Sequence, residues 1–83
     1  MNESIRDARS LGNLIRNHRL ARSWTQVELS QRAGLRQSSI SHLEQGKTNA
    51  KLDTLFRVLA VLELKISLQN FEQQAKTISI ADL

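Results

Sequence analysis

An all-α domain of four or five helices, ending in one short β-strand, is the fold class this sequence predicts. Apolar residues recur at helical spacing from Leu11 to Leu62, and a capping box and two glycines punctuate that stretch. Beyond Leu62 the apolar period drops from about 3.6 residues to about 2. Eighty-three residues, 40% of them hydrophobic and none of them proline, form one core and leave no length for a second.

The first helical run extends from Ala8 to Arg22. Leu11, Leu14, Ile15 and Ala21 fall near helical spacing, with Arg16, Arg19 and Arg22 interleaved. Ser4-Ile5-Arg6-Asp7 also has capping-box spacing and would start the helix earlier. Ser23-Trp24 breaks the pattern. Thr25-Gln26-Val27-Glu28 is a cleaner capping box, in which the Thr25 hydroxyl accepts from the Glu28 amide and the Glu28 carboxylate accepts from the Thr25 amide. A short helix follows from about Gln26 to Ala33, burying Leu29 and Ala33. Gly34 ends it, because glycine adopts the left-handed conformation at little cost. A third helix spans about Gln37 to Gln45, turns Ile40 and Leu43 inward and stops at Gly46. The fourth, from about Ala50 to Leu62, places Leu52, Leu55, Phe56, Leu59 and Leu62 on one face.

After that helix Leu62, Leu64, Ile66 and Leu68 alternate with Glu63, Lys65, Ser67 and Gln69, which is strand spacing. A lone strand leaves its backbone donors and acceptors without partners. The chain offers no comparable second run except the short Thr77-Ile78-Ser79-Ile80, and the polar segment from Asn70 to Lys76 reads as a loop or a frayed tail. The plan is therefore a helical unit over residues 1–62, a strand over 63–69 and a tail over 70–83 with no assigned role.

Composition narrows the function. There is no cysteine, hence no disulfide framework and no thiolate metal site. No apolar run approaches a membrane span, and Met1-Asn2-Glu3-Ser4 lacks the apolar core of a signal peptide, so a soluble cytoplasmic protein is expected. The sequence shows no paired catalytic carboxylates, phosphate-binding glycine loop, metal cluster or nucleophile–base pair. No enzymatic activity, cofactor or metal is expected. The net charge of +4 is unevenly placed: residues 1–57 hold ten basic and five acidic side chains, and residues 58–83 hold two and three. The positive excess thus lies in the first part of the chain, as in a nucleic-acid-contacting surface, although a solvated basic face would show the same asymmetry.

Two short helices joined by a tight glycine turn describe a helix-turn-helix. On the wheel of the third helix Gln37, Ser38, Ser41, His42 and Gln45 share one arc opposite Ile40 and Leu43. These side chains are short or planar and rich in donors and acceptors. Glutamate and lysine would be more usual on a face meant only for solvent, so the arc suits the reading of base edges in a DNA major groove.

The residues Leu11-Gly12, Ile15-Arg16, Arg19, Thr25-Gln26 and Leu29, followed by Gln37-Ser38-Ser39-Ile40-Ser41, Leu43-Glu44 and Gly46-Lys47, resemble the Xre/Cro family of phage and bacterial repressors over roughly residues 10–62. Ser23 stands where that family usually has glycine. The resemblance implies a lambda-repressor-like helix-turn-helix domain and assigns roles by position. Gln37 is similar to the glutamine that pairs with adenine, and Gln26 to the one that bonds a phosphate and braces it. Ser38, Ser41 and His42 fill the remaining base-reading places, with His42 equally suited to a phosphate or to solvent. Thr25, Arg36, Ser39, Lys47, Thr48 and Lys51 complete the implied phosphate contacts. Arg19 and Glu44 correspond to a structural salt bridge between the first and third helices. Trp24 is expected in the core rather than as a base-stacking platform, and His18 is given no role.

The alternating run from Leu62 to Leu68, with Trp24-Thr25-Gln26, is similar to the HipB-like antitoxins within that family. In them the strand pairs with its copy from a second subunit, which would make Leu64, Ile66 and Leu68 dimerisation residues of an intersubunit sheet. The resemblance implies a homodimer on a palindromic double-stranded DNA operator, repressing its own operon and holding a HipA-like serine/threonine kinase toxin. A free-standing Xre/Cro-type repressor without a toxin partner shares every DNA-binding residue and differs only at the strand.

Overall fold

The computed structural model describes residues 5–47, 49–70 and 73–79. Four helices, α1 (Ala8–Ala21), α2 (Gln26–Ala33), α3 (Gln37–Glu44) and α4 (Leu52–Val61), precede two strands, β1 (Ser67–Asn70) and β2 (Gln73–Ser79).

The cap of α1 is Asp7. Its carboxylate accepts from the Ser10 amide at 2.8 Å, and the Ser10 hydroxyl oxygen accepts from the Asp7 amide at 3.1 Å. The Ser10 amide, then the Ser10 side chain, hold the Asp7 carboxyl below its ordinary pKa by stabilising the charged form. The earlier start considered at Ser4 falls outside the described residues. At its far end α1 terminates through Ser23, whose φ of +58° is the left-handed conformation that glycine takes more cheaply. A serine holds that conformation here.

Each helix contributes to one core of Ile15, Leu29, Ala33, Ile40, Leu43, Val58, Leu59 and Leu62, with Leu11, Trp24, Leu35 and Leu55 packed around it. Helices α1 and α3 approach so closely that a Cβ at Gly12 would collide with the carbonyl oxygens of Leu43 and Glu44. On α4 the expected face is rotated. Leu59 and Leu62 are buried, but Leu52 and Phe56 are 70% and 45% exposed, and Val58 is wholly buried. At about 100° per residue, the buried arc centres between Leu55 and Leu62 and takes in Val58, leaving Leu52 and Phe56 at its edge.

The strand also differs from expectation. Leu64 and Ile66 precede β1 and pack half-buried against the core, and only Leu68 of the alternating set lies in the strand, 47% exposed. β1 finds its partner within the same chain. It pairs antiparallel with β2 in the register Ser67↔Ser79, Leu68↔Ile78, Gln69↔Thr77 and Asn70↔Gln73, with an irregularity between Gln69 and Asn70. Residues 73–76, expected as loop or frayed tail, are therefore strand. Backbone pairing rather than apolar alternation decides the matter, because the open edge of β1 needs donors and acceptors whatever the side chains.

Candidate nucleic-acid interface

The site is built from the α2–turn–α3 unit. Thr25 caps α2 in the expected reciprocal box: its hydroxyl accepts from the Glu28 amide at 3.0 Å, and Glu28 accepts from the Thr25 amide at 3.1 Å. Gly34 closes α2 at φ +68°, a turn that a Cβ would strain, and the Leu35 amide returns to the Ser30 carbonyl at 2.8 Å. α3 then starts after Arg36, whose side chain is exposed and makes no capping bond.

Burial divides α3 sharply. Ile40, Leu43 and Glu44 face inward, while Gln37, Ser38, His42 and Gln45 are exposed. Ser41 is half-buried, and its hydroxyl accepts from the Gln45 amide nitrogen at 2.8 Å. The structure thus brings all four expected base-reading residues onto one helix, with Gln45 steadying Ser41 from the next turn. Ser39 is half-buried in the first turn of α3.

Behind this face lies a chain of hydrogen bonds. Arg19 and Glu44, each only 7% exposed, meet through Nε to Oε2 at 2.6 Å and NH2 to Oε1 at 3.0 Å. The same Oε1 accepts from the Gln26 side-chain amide at 3.1 Å, and the Gln26 oxygen accepts from the Gln37 amide at 3.5 Å. Because a carboxylate only accepts, Gln26 must turn its NH2 to Glu44 and its oxygen to Gln37. The bridge raises the Arg19 pKa above its ordinary value, hydrogen bonding outweighing desolvation. Arg19 also donates to the Trp24 carbonyl at 2.7 Å, tying the turn before α2 to the bridge. Sequence reasoning paired Arg19 with Glu44 and Gln26 with Gln37. It missed that Glu44 joins the two pairs.

Around the face the expected phosphate contacts are dispersed as exposed groups: Thr25 at the start of α2, Arg36 before α3, Lys47 after it and Lys51 at the start of α4. Thr48 lies outside the described residues. Trp24 is half-buried against the core, with the Arg32 guanidinium 4.3 Å and the Arg22 guanidinium 5.7 Å from its ring centre. Its ring is engaged by these two cations and packs against the core. No described helix is long and apolar enough to cross a membrane.

Two short helices at a glycine turn, the second bearing an exposed neutral polar face, make this a helix-turn-helix protein. A family model described as Helix-turn-helix matches residues 15–69. The antitoxin HipB of Escherichia coli (strain K12) is 35% identical over 66 residues, which are 80% of this chain and 75% of that protein. The antitoxin HipB of Escherichia coli O6:H1 is 35% identical over 66 residues, 80% of this chain and 70% of the relative. Among solved structures, HipB in a HipB–O2 20mer complex is similar at TM-score 0.78 and 32% identity, over 86% of this chain and 99% of that one. A HipA-HipB-O2-O3 complex gives TM-score 0.77 and 33% identity, over 84% and 99%. The restriction-modification controller protein C.AhdI from Aeromonas hydrophila, at TM-score 0.64 and 24% identity, shares the fold. The chain belongs to the Xre-type helix-turn-helix family, in its HipB-like branch.

Proposed function

We propose that this chain is a sequence-specific DNA-binding repressor, dimeric on a palindromic operator, which serves in the cytoplasm as the antitoxin of a HipA-like serine/threonine kinase and represses its own operon. The observation that carries the reading is the α3 face. Gln37 projects from the first turn of α3, with its amide held by Gln26 and Gln26 oriented by the buried Glu44. A carboxamide so fixed suits the N6 donor and N7 acceptor of adenine, with Ser38, Ser41 and His42 beside it for neighbouring bases. Thr25, Gln26, Arg36, Ser39, Lys47 and Lys51 surround that face and act on the phosphates. Curated relatives named antitoxin HipB, and a HipB relative solved in a complex with HipA, support the toxin partnership.

The dimer joint is the hairpin. Each strand is paired on one side by the other, so the two-stranded sheet offers open edges, and an open edge is a template for a further strand. Leu68, exposed in β1, adds apolar surface there. Leu64 and Ile66 act differently, anchoring the hairpin to its own subunit from within.

The test is co-purification of wild type and Gln37→Ala with the product of the neighbouring gene, together with rescue of growth. Gln37→Ala is expected to lose operator preference and keep the toxin, since the α3 face stays on DNA while the toxin is held elsewhere. If no adjacent gene encodes a kinase-like partner, or none binds, the chain is a free-standing repressor.

A further inference from the structure

The guanidinium of Arg22 forms a fork between two helix ends. Arg22 is the C-cap of α1, and it donates from NH1 to the His18 carbonyl at 3.1 Å and from NH2 to the Leu62 carbonyl at 2.7 Å. Leu62 is the C-cap of α4 and is wholly buried. The next residue, Glu63, turns the chain at φ +58°, and the Leu64 amide closes the turn on the Leu59 carbonyl at 2.8 Å. Leu64 and Ile66 then pack against the core before β1 begins at Ser67. The hairpin therefore leaves the helical unit in one direction, set by a left-handed turn, two apolar anchors and one guanidinium.

From this geometry we infer that Arg22 is a positioning residue for operator spacing. By holding the root of the hairpin to the end of α1, it fixes the angle between the two α3 helices of the dimer and so selects the distance between half-sites. The inference rests on the dimeric reading above, with the hairpin as the joint. Two operators whose half-sites differ by one base pair differ by about 34° of rotation around the duplex. A joint loose enough to swing through that angle accepts both. A planar fork that engages one carbonyl on each of two elements resists the swing, whereas a lysine ammonium is a point donor without the paired geometry. Arg22 does this without touching DNA, and its effect falls on spacing, not on base identity.

The experiment is binding to duplexes that carry two constant half-sites and a central spacer of variable length, for wild type, Arg22→Lys and Arg22→Met, with thermal melts taken alongside. Wild type is expected to prefer one spacing and to reject spacers one base pair longer or shorter. Arg22→Met should narrow that discrimination by roughly tenfold, the scale of one charge-assisted hydrogen bond. Arg22→Lys, with the charge retained and the fork lost, should fall between, and the half-site consensus should be unchanged in both. Should Arg22→Met not fold, Arg22→Lys carries the comparison. Folded variants that keep the wild-type spacing preference, with affinity falling equally at every spacer, would overturn the inference and leave Arg22 a stabilising or phosphate-facing residue. A wild type indifferent to spacing would overturn the inference by itself, whereas a wild type that bound a duplex with one half-site as tightly as one with two would overturn the dimeric reading on which it rests.

Discussion

Arg19 of α1 and Glu44 of α3 form a two-point ion pair in the interior, and one oxygen of that pair also receives Gln26. The bridge is therefore both a tie between helices and the fixed end of the chain that reaches Gln37. Removing one partner strands a buried charge, so Arg19→Met should cost about 3–5 kcal/mol in urea melts. The double variant Arg19→Met with Glu44→Leu should recover most of that loss, since an apolar pair of similar volume replaces an ionic one. It should nonetheless bind DNA with a relaxed preference at the Gln37 position, because Gln26 then loses the buried Glu44 acceptor that orients it. A double variant with full wild-type discrimination would confine the bridge to stability.

Ser23 holds φ +58° at the end of α1. A side chain in that conformation costs about 1–2 kcal/mol, and glycine relieves it while adding freedom to the unfolded chain. Ser23→Gly should stabilise the domain by about 0.5–1 kcal/mol, read as a higher denaturation midpoint with the same slope. A lower midpoint would show that the serine side chain contributes more than its backbone conformation costs.

Much of the interface is visible in the residue pattern because its determinants are local. The Thr25–Glu28 box, Gly34 and the wheel of α3 act within a turn or two, so spacing alone discloses them. The Arg19–Glu44 pair was indicated by family likeness, since neither residue alone shows its partner. What stays hidden is long-range or made by backbone. Arg22 and Leu62 lie 40 residues apart and meet through a carbonyl that carries no side-chain signature. β2 runs through Gln73, Gln74, Ala75 and Lys76, a stretch without apolar alternation, and only its pairing to β1 makes it strand. The rotation of α4, which packs against α2, is a tertiary feature that the pattern of Leu52, Leu55, Phe56 and Leu59 could not decide.

The Asp7 cap gives a pH dependence with a definite sign. Its folded-state pKa lies below the unfolded value because Ser10 donates to the carboxylate. Its contribution to stability is thus fully present above the ordinary carboxylate pKa and is lost as the pH falls through the lower folded-state value. Asp7→Ala should melt lower than wild type at neutral pH, and the two should converge in strong acid. A gap that stayed constant into strong acid would mean that the cap acts without its charge.

The central claim, that the polar face of α3 reads bases in a major groove, is tested most directly by selection from fully randomised duplexes, run in parallel on wild type, Gln37→Ala and Lys47→Ala. Wild type should return a palindromic consensus whose half-sites lie about one helical turn, or a multiple of it, apart. Gln37→Ala should lose preference at one base pair in each half-site, at a cost of about 1–3 kcal/mol, whereas Lys47→Ala should keep the consensus, weaken all sequences alike and lower the salt slope by about 1. A wild-type protein that enriched no sequence, or a Gln37→Ala variant that returned the wild-type consensus, would contradict the account.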